Sequence, residues 1–119
     1  MPTFRIAYET WGTLSEAKDN AVLLCTGLSA SSHARSHHEN PAPGWWEGMI
    51  GPGAAIDTNR WFVVCCNMLG GCFGSTGPAS LDPRTGRPYA MRFPVVTVWD
   101  FALTQALVLD ELGVKRLRA

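Results

Sequence analysis

Two short, uninterrupted apolar runs limit most strongly what this chain can fold into. They are residues 21–25 (AVLLC) and residues 61–66 (WFVVCC). A continuous apolar run of this length is typical of a strand buried on both faces, as in a parallel sheet, although the first run is also compatible with a helix. The connections 26–60 and 67–114 exceed the dozen or so residues that a parallel crossover needs. The sequence therefore predicts an α/β fold with a mostly parallel sheet and right-handed crossovers.

Local patterns predict the elements around these two strands. Residues 3–9 are rich in β-forming side chains and predict an early strand. Residues 97–112 predict the strongest helix, because a Thr-x-x-Asp variant of the capping box opens it and Gly113 can end it. Residues 114–119 are expected to begin a further strand. The helix is expected to pack through an apolar face made of Val98, Phe101, Ala102, Ala106, Leu109 and Leu112.

Length and charge exclude several classes of protein. The chain has 119 residues, which is the size of one small domain. Ten basic residues balance ten acidic ones, and this argues against a nucleic-acid-binding surface. Every apolar run is far shorter than the roughly 20 residues that cross a bilayer, so no membrane association is expected. The four cysteines form no CxxC pair, and we interpret them as buried thiols of a reducing, cytoplasmic compartment.

Two loops are candidates for a functional site. Residues 26–32 (TGLSASS) follow the first apolar run, at the place where open α/β sheets bind ligands. Their small side chains let backbone N–H groups face a cavity, but a plain strand-to-helix turn has the same composition. Residues 67–78 (NMLGGCFGSTGP) are glycine-rich, yet they match neither a P-loop nor a nucleophile elbow, so Ser75 is a poor nucleophile candidate. The favoured interpretation of this loop is structural support for a site built elsewhere, with ligand binding as the alternative.

Three histidines lie close together in a polar, proline-containing stretch. His33 and His37 are four residues apart and could share a helical face, with His38 and Glu39 beside them. No HExxH pattern is present and residues 36–44 predict irregular structure, so we expect solvated side chains and no metal. The adjacent Trp45 and Trp46 are expected to anchor this loop to the core. The isolated carboxylates, expected in turns or at a helix start, are Asp57, Asp82 and Asp100.

Motifs along nearly the whole chain resemble one known family. They are residues 8–12 (YETWG), 20–23 (NAVL), 44–46 (GWW), 50–53 (IGPG), 56–58 (IDT), 69–78 (LGGCFGSTGP) and 93–94 (FP). Together they are similar to the homoserine O-acetyltransferases, and the combination of GGCFGSTGP with the preceding GWW and IGPG is highly specific.

The resemblance implies an α/β-hydrolase fold and a reaction. Members move an acetyl or succinyl group from acyl-CoA to the hydroxyl of L-homoserine in methionine biosynthesis, through a Ser-His-Asp triad and a Ser acyl-enzyme. Acyl-CoA is a co-substrate, and no bound cofactor or metal is implied. By resemblance, the backbone N–H of Leu28 contributes to the oxyanion hole, and Gly27 and Ser29 border the substrate.

The resemblance also implies that residues 1–119 are the N-terminal part of a single α/β-hydrolase domain. The nucleophile elbow and the helical lid, through which the family forms homodimers, would lie outside them, so the chain alone is expected to be marginally stable and inactive. Residues 26–29 (TGLS) are more similar to relatives that acylate serine, for cysteine biosynthesis. Two more functions stay open at this point. One is an ester hydrolase on the same fold, and the second is a non-catalytic remnant or half-protein that a second chain completes.

Overall fold

The computed structural model describes residues 3–27 and 29–119. In chain order the elements are β1 (Tyr8–Trp11), β2 (Ala21–Leu24), β3 (Ile50–Gly51), β4 (Ile56–Asp57), β5 (Phe62–Cys66), β6 (Leu81–Asp82), β7 (Arg87–Pro88), a 3-10 helix (Ala90–Arg92) and α1 (Val98–Glu111). The three longer strands form one sheet, and the two-residue strands pair locally, β3 with β4 and β6 with β7. The predicted α/β class is confirmed.

The central strand of the sheet is β5. It pairs in parallel with β2 on one side and antiparallel with β1 on the other. Both strands predicted from the apolar runs are therefore confirmed, with Cys25 and Trp61 just outside their bounds. Because β1 runs antiparallel, the three-stranded sheet is mixed.

The predicted strand at residues 3–9 is wrong in its bounds, since β1 covers Tyr8–Trp11. The preceding residues 3–7 form no strand, and their backbone groups pair with a loop. Arg5 exchanges hydrogen bonds with Thr76, its N–H to Oγ1 and its carbonyl from the backbone N–H, each at 2.8 Å. Trp11 ends the strand inside the core, and the chain turns at Gly12 (φ +79°).

The end of the chain lies along the free edge of β2. Leu117 forms a parallel bridge with Ala21, and the N–H of Arg118 donates to the carbonyl of Ala21 at 2.8 Å. The N–H of Leu23 in turn donates to the carbonyl of Ala119 at 2.9 Å. Residues 114–119 thus pair with the sheet at the expected place, but only through an isolated bridge at Leu117 and not as a strand.

All five residues of β5 are buried because both faces of the sheet are covered. On one face, Val63 and Cys65 pack with Trp11, Leu24 and Ile50. On the other face, the alternate residues of β5 pack with α1 in a second cluster: Phe62, Val64 and Cys66 with Ala21, Val108 and Leu109. This two-sided burial is what the continuous apolar run predicted.

The start and end of α1 are confirmed. The N–H of Thr97 donates to Asp100 Oδ2 at 2.7 Å, and Thr97 Oγ1 accepts from the N–H of Asp100, which completes a capping box. Gly113 follows the helix at φ +77°, a conformation that glycine adopts without strain.

The predicted packing face of α1 is only partly right. Leu109 is buried, and Phe101 and Leu112 are half-buried, but Val98, Ala102 and Ala106 are exposed. The buried residues of α1 are Thr104, Gln105, Val108 and Leu109. An exposed stripe of Trp99, Leu103 and Leu107 runs along the opposite side, with Trp99 78% exposed. Because apolar residues occupy both sides, periodicity alone could not identify the packed face.

The cysteines divide into two pairs, and all four are free thiols. Burial raises the pKa of Cys65 to about 12 and that of Cys66 to about 11. Cys25 and Cys72 are exposed, so the expectation of buried thiols is wrong for these two, which lie in loops beyond the ends of strands.

No helix in the described parts of the chain combines the length and the apolar content that crossing a membrane requires.

Candidate functional site

The two candidate loops leave the sheet at the same edge. Leu24 of β2 lies opposite Cys65 of β5 in a parallel pair, so the carboxyl ends of both strands are side by side. We call residues 25–27 and 29–33 the edge loop, and residues 67–78 the glycine-rich loop. The predicted position of the first candidate, beyond a strand's carboxyl end, is confirmed.

The edge loop turns its smallest residues outward. Gly27 and Ser29 are exposed, and a Cβ added to Gly27 would meet nothing within 4 Å. Thr26 is buried, and its hydroxyl has no hydrogen-bond partner among the described residues. Leu28, for which the sequence predicts an oxyanion-hole N–H, lies outside the described residues. The substrate contacts expected for Gly27 and Ser29 stay predictions.

Asn67 joins the two loops from behind. The N–H of Ser32 donates to Asn67 Oδ1 at 2.6 Å, and Asn67 Nδ2 donates to Ser32 Oγ at 2.9 Å and to the carbonyl of Phe73 at 2.7 Å. Asn67 is 5% exposed and Ser32 3% exposed. Since each buried polar group is paired, this bridge fixes the edge loop against the glycine-rich loop.

Ser75 supports the glycine-rich loop. Its hydroxyl accepts from the N–H of Ala7 and donates to the carbonyl of Asn67, both at 3.0 Å. The side chain is buried, so it does not face substrate. The structural interpretation of this loop, which the sequence favoured over ligand binding, agrees with these contacts.

Glu9 of β1 continues the network beyond Ser32. Glu9 Oε1 accepts from Ser32 Oγ at 3.1 Å, and Glu9 Oε2 lies 2.8 Å from both His33 Nδ1 and His37 Nε2. The side chains of Glu9, His33 and His37 are largely buried, and we call these three residues together with Ser32 the Glu9 cluster. Glu9 was not a candidate from the sequence, because no local spacing connects it with His33 and His37, which lie 24 and 28 positions away.

Both ring nitrogens of His33 face oxygen acceptors. Nδ1 contacts the Glu9 carboxylate, and Nε2 lies 2.7 Å from the carbonyl of Ala42. A carbonyl only accepts, so Nε2 carries the proton that it shares with Ala42, and an ionised Glu9 carboxylate favours a second proton on Nδ1. The hydrogen bond to Glu9, followed by that to Ala42, accordingly raises the pKa of His33 above its ordinary value of 6.5.

Glu9, His33 and His37 also offer ligand atoms within 4.8 Å of one another. A metal would need a deprotonated nitrogen at each histidine. His33 Nδ1 and His37 Nε2 each lie at hydrogen-bond distance from the same carboxylate oxygen, Glu9 Oε2. The expectation of no metal stays a prediction.

A cavity of about 320 Å³ opens beside the Glu9 cluster. Its lining residues are Tyr8, Glu9, Thr10, His37, His38 and Glu39. His38 and Glu39 are exposed and 3.9 Å apart, as expected for solvated side chains. The same expectation is wrong for His33 and His37, whose side chains are largely buried against Glu9. His33 and His37 do not share a helix, since this stretch is irregular as predicted. They meet because both turn toward β1.

The long connection between β2 and β3 is held by its own polar and aromatic contacts. Hydrogen bonds from the Ser36 hydroxyl and from the N–H groups of Gly44 and Ser36 lower the pKa of Glu47 to about 2. Trp45 Nε1 donates to the carbonyl of Ser31 at 2.9 Å, so the tryptophan anchors this connection to the edge loop. Trp45 and Trp46 are both exposed, so the expectation that they anchor this stretch to the core is wrong.

No Ser-His-carboxylate triad is formed within residues 3–27 and 29–119. The nearest resemblance is Ser32 beside Glu9 and His33, but the serine hydroxyl donates to the carboxylate and not to an imidazole. In a triad the imidazole must lie between the serine and the carboxylate. Ser32 is also buried, so this group positions the loop and does not attack a substrate.

Relatives match the full length of the chain but only part of their own. The serine O-succinyltransferase of Schizosaccharomyces pombe is 60% identical over all 119 residues, which make up 24% of that protein. The serine O-succinyltransferase of Emericella nidulans is 59% identical over 119 residues, 23% of its length. That of Stenotrophomonas maltophilia is 58% identical over 113 residues, 30% of its length. No family model matches the chain.

Solved structures also match nearly all of this chain with only part of their own length. An esterase superposes with a TM-score of 0.88 at 40% identity, covering 98% of this chain and 34% of the esterase. The homoserine O-acetyltransferase of Bacillus anthracis superposes with a TM-score of 0.86 at 42% identity, covering 94% of this chain and 32% of that enzyme. The chain thus spans about a quarter to a third of the proteins it matches. The chain is therefore similar to homoserine O-acetyltransferases and serine O-succinyltransferases over nearly its whole length, as its motifs indicated, and it has part of the α/β-hydrolase fold.

Proposed function

We propose that these residues form the oxyanion-hole side of an amino-acid O-acyltransferase. The observation that carries the proposal is the 60% identity over all 119 residues with a serine O-succinyltransferase. The edge loop lies at the carboxyl end of β2, its small residues face outward, and Asn67 holds it from behind. A preorganised loop of this kind is what stabilisation of a tetrahedral intermediate requires, with the N–H of Leu28 as the proposed donor.

The proposed reaction transfers an acyl group from acyl-CoA to an amino-acid hydroxyl. A serine nucleophile would attack the thioester carbonyl and release CoA, and the amino-acid hydroxyl would then attack the acyl-enzyme and release the ester. The oxyanion formed in each step would face the edge loop. Nucleophile, base and orienting acid would come from outside residues 1–119, so we propose that this segment alone is inactive.

Serine and homoserine are rival acceptors. The relatives at 57–60% identity are named serine O-succinyltransferases, which favours serine with a succinyl donor. The structural relative at 42% identity is a homoserine O-acetyltransferase, and it supports homoserine with an acetyl donor, in line with the sequence motifs. Ester hydrolysis is the third candidate, because an esterase is 40% identical.

The test is a chimera in which residues 1–119 replace the matching segment of the Schizosaccharomyces pombe protein. We expect it to acylate serine faster with succinyl-CoA than homoserine with acetyl-CoA. Hydrolysis of a simple ester without transfer to either amino acid would favour the esterase function. A folded chimera without any of these activities would refute the proposal. The separate 119-residue chain is the control, and turnover by it would refute the proposed location of the triad.

Compartment and assembly complete the proposal. Four free thiols, two of them exposed, support a reducing compartment such as the cytoplasm. We propose small-molecule substrates only, no bound cofactor, and a homodimer formed through the lid of the complete enzyme.

A further inference from the structure

We propose that Glu9 is a positioning residue, whose carboxylate bridges Ser32, His33 and His37 and thereby fixes the edge loop in the geometry that acyl transfer needs. This inference rests on the proposed function. Glu9 does not touch the outward side of the loop, where substrate would bind, and it acts through Ser32 and His33.

Three donors meet at the Glu9 carboxylate. Glu9 receives three hydrogen bonds, one at Oε1 and two at Oε2. An ionised carboxylate can accept all three because it carries four lone-pair positions and no proton. Glutamine has the same shape but one acceptor oxygen, and its amide protons would face Ser32 Oγ or an imidazole N–H. The arrangement therefore specifies a carboxylate.

Glu9 is also connected, through Ser32, with the other residues at this edge of the sheet. Ser32 Oγ donates to Glu9 and accepts from Asn67 Nδ2, so β1, the edge loop and the end of β5 are joined through one hydroxyl. His33 extends the connection to the carbonyl of Ala42. The edge loop is thus held from β1 and from β5 at once, so it cannot rotate about a single point of attachment.

His33 lies beside the Glu9 carboxylate and can balance its charge. When protonated, His33 neutralises the Glu9 carboxylate, and this lets the pair remain largely buried. The titratable groups around the pair are Cys65 of β5, a neutral thiol, and His37, His38 and Glu47 of the segment between β2 and β3. Because the pKa of His33 is raised, its stabilising contribution is complete at low pH and is lost as the pH rises through the raised value.

The test compares Glu9→Gln with the control Glu39→Gln in the chimera. Glu39 lines the same cavity but its side chain is 77% exposed. We expect Glu9→Gln to lower kcat about tenfold to a hundredfold, since small displacements of catalytic groups have effects of this size, with KM changed less than about twofold. The alkaline limb of its kcat profile should move to lower pH, because His33 loses the carboxylate that holds its proton. The control should match the parent in all three quantities.

Several results would overturn the inference. One is an active parent chimera with a Glu9→Gln variant of unchanged kcat and pH profile. Another is a neutral His33 at pH 7 in the unsubstituted chimera, measured by 15N NMR of the labelled histidine ring. A tight Zn²⁺ complex lost in Glu9→Gln would show that an ion joins these side chains. If the parent has no activity, the proposed function fails, and hydrogen exchange decides the positioning role: unchanged exchange of the edge loop in Glu9→Gln would refute it.

Discussion

Replacing Asn67 by alanine should loosen the edge loop while leaving the sheet intact. Asn67 Oδ1 accepts from the N–H of Ser32, and Asn67 Nδ2 donates to Ser32 Oγ and to the carbonyl of Phe73. The alanine variant removes all three bonds. The backbone of Asn67 still donates from its N–H to the carbonyl of Ala7, so β5 keeps its neighbour.

The magnitude follows from which partners can reach water. Ser32 is 3% exposed, so its N–H would be left without an acceptor, which costs about 1–3 kcal/mol. The Ser32 hydroxyl keeps Glu9 as acceptor, and Phe73 is half-exposed, so its carbonyl can bind water. The net cost is therefore about 2 kcal/mol, which corresponds to roughly thirty-fold easier opening of the loop.

Hydrogen exchange followed by mass spectrometry measures this opening. In the chimera, peptides covering residues 29–33 and 70–76 should exchange about thirty-fold faster in Asn67→Ala, and a peptide covering β5 should be unchanged. The matched control is Asn59→Ala, because Asn59 is exposed in a turn. Equal exchange in the two variants, or faster exchange throughout the sheet, would refute the role of Asn67 as a local bridge.

Three further outcomes are expected. Thr97→Ala removes the capping box, and losing a typical N-cap costs about 1 kcal/mol. Amides in the first turn of α1 should therefore exchange about fivefold faster in the 119-residue chain. Unchanged exchange would contradict the role of the capping box. Other parts of the complete enzyme are expected to cover the exposed stripe, so Leu103→Asp should prevent folding of the chimera while changing the Tm of the 119-residue chain little. A soluble chimera with the parent Tm would contradict this expectation. In alkylation at pH 8, the exposed thiol of Cys25 should react at least about a hundredfold faster than Cys65, whose burial raises its pKa to about 12; equal rates measured by mass spectrometry would contradict the packing of β5.

The elements that sequence predicted well are those fixed by local information. A fully apolar run such as Phe62–Cys66 is compatible with few structures besides a strand buried on both faces. The capping box at Thr97 and Asp100 is also local, because the chain makes it with itself over three residues. Even the place of the edge loop followed from its position directly after β2.

The parts that sequence did not predict depend on distant partners. Glu9 meets His33 and His37 only because β1 lies antiparallel beside β5 and the connection after β2 folds back toward it. The packed face of α1 was ambiguous because Trp99 and Leu103 make its outer side as apolar as its inner side. Both depend on which surfaces meet, which no local pattern encodes.

The distribution of satisfied polar groups separates the two sides of the edge loop. Behind the loop, Ser32 and Asn67 are fully paired, and Glu9 and His33 neutralise one another. In front, Gly27 faces open space. A loop that had only to connect two strands would not require a buried ion pair to hold it, because solvent would satisfy its backbone without that desolvation penalty. The rigid rear and open front are what a binding surface needs, since the loop is then already ordered before the substrate arrives.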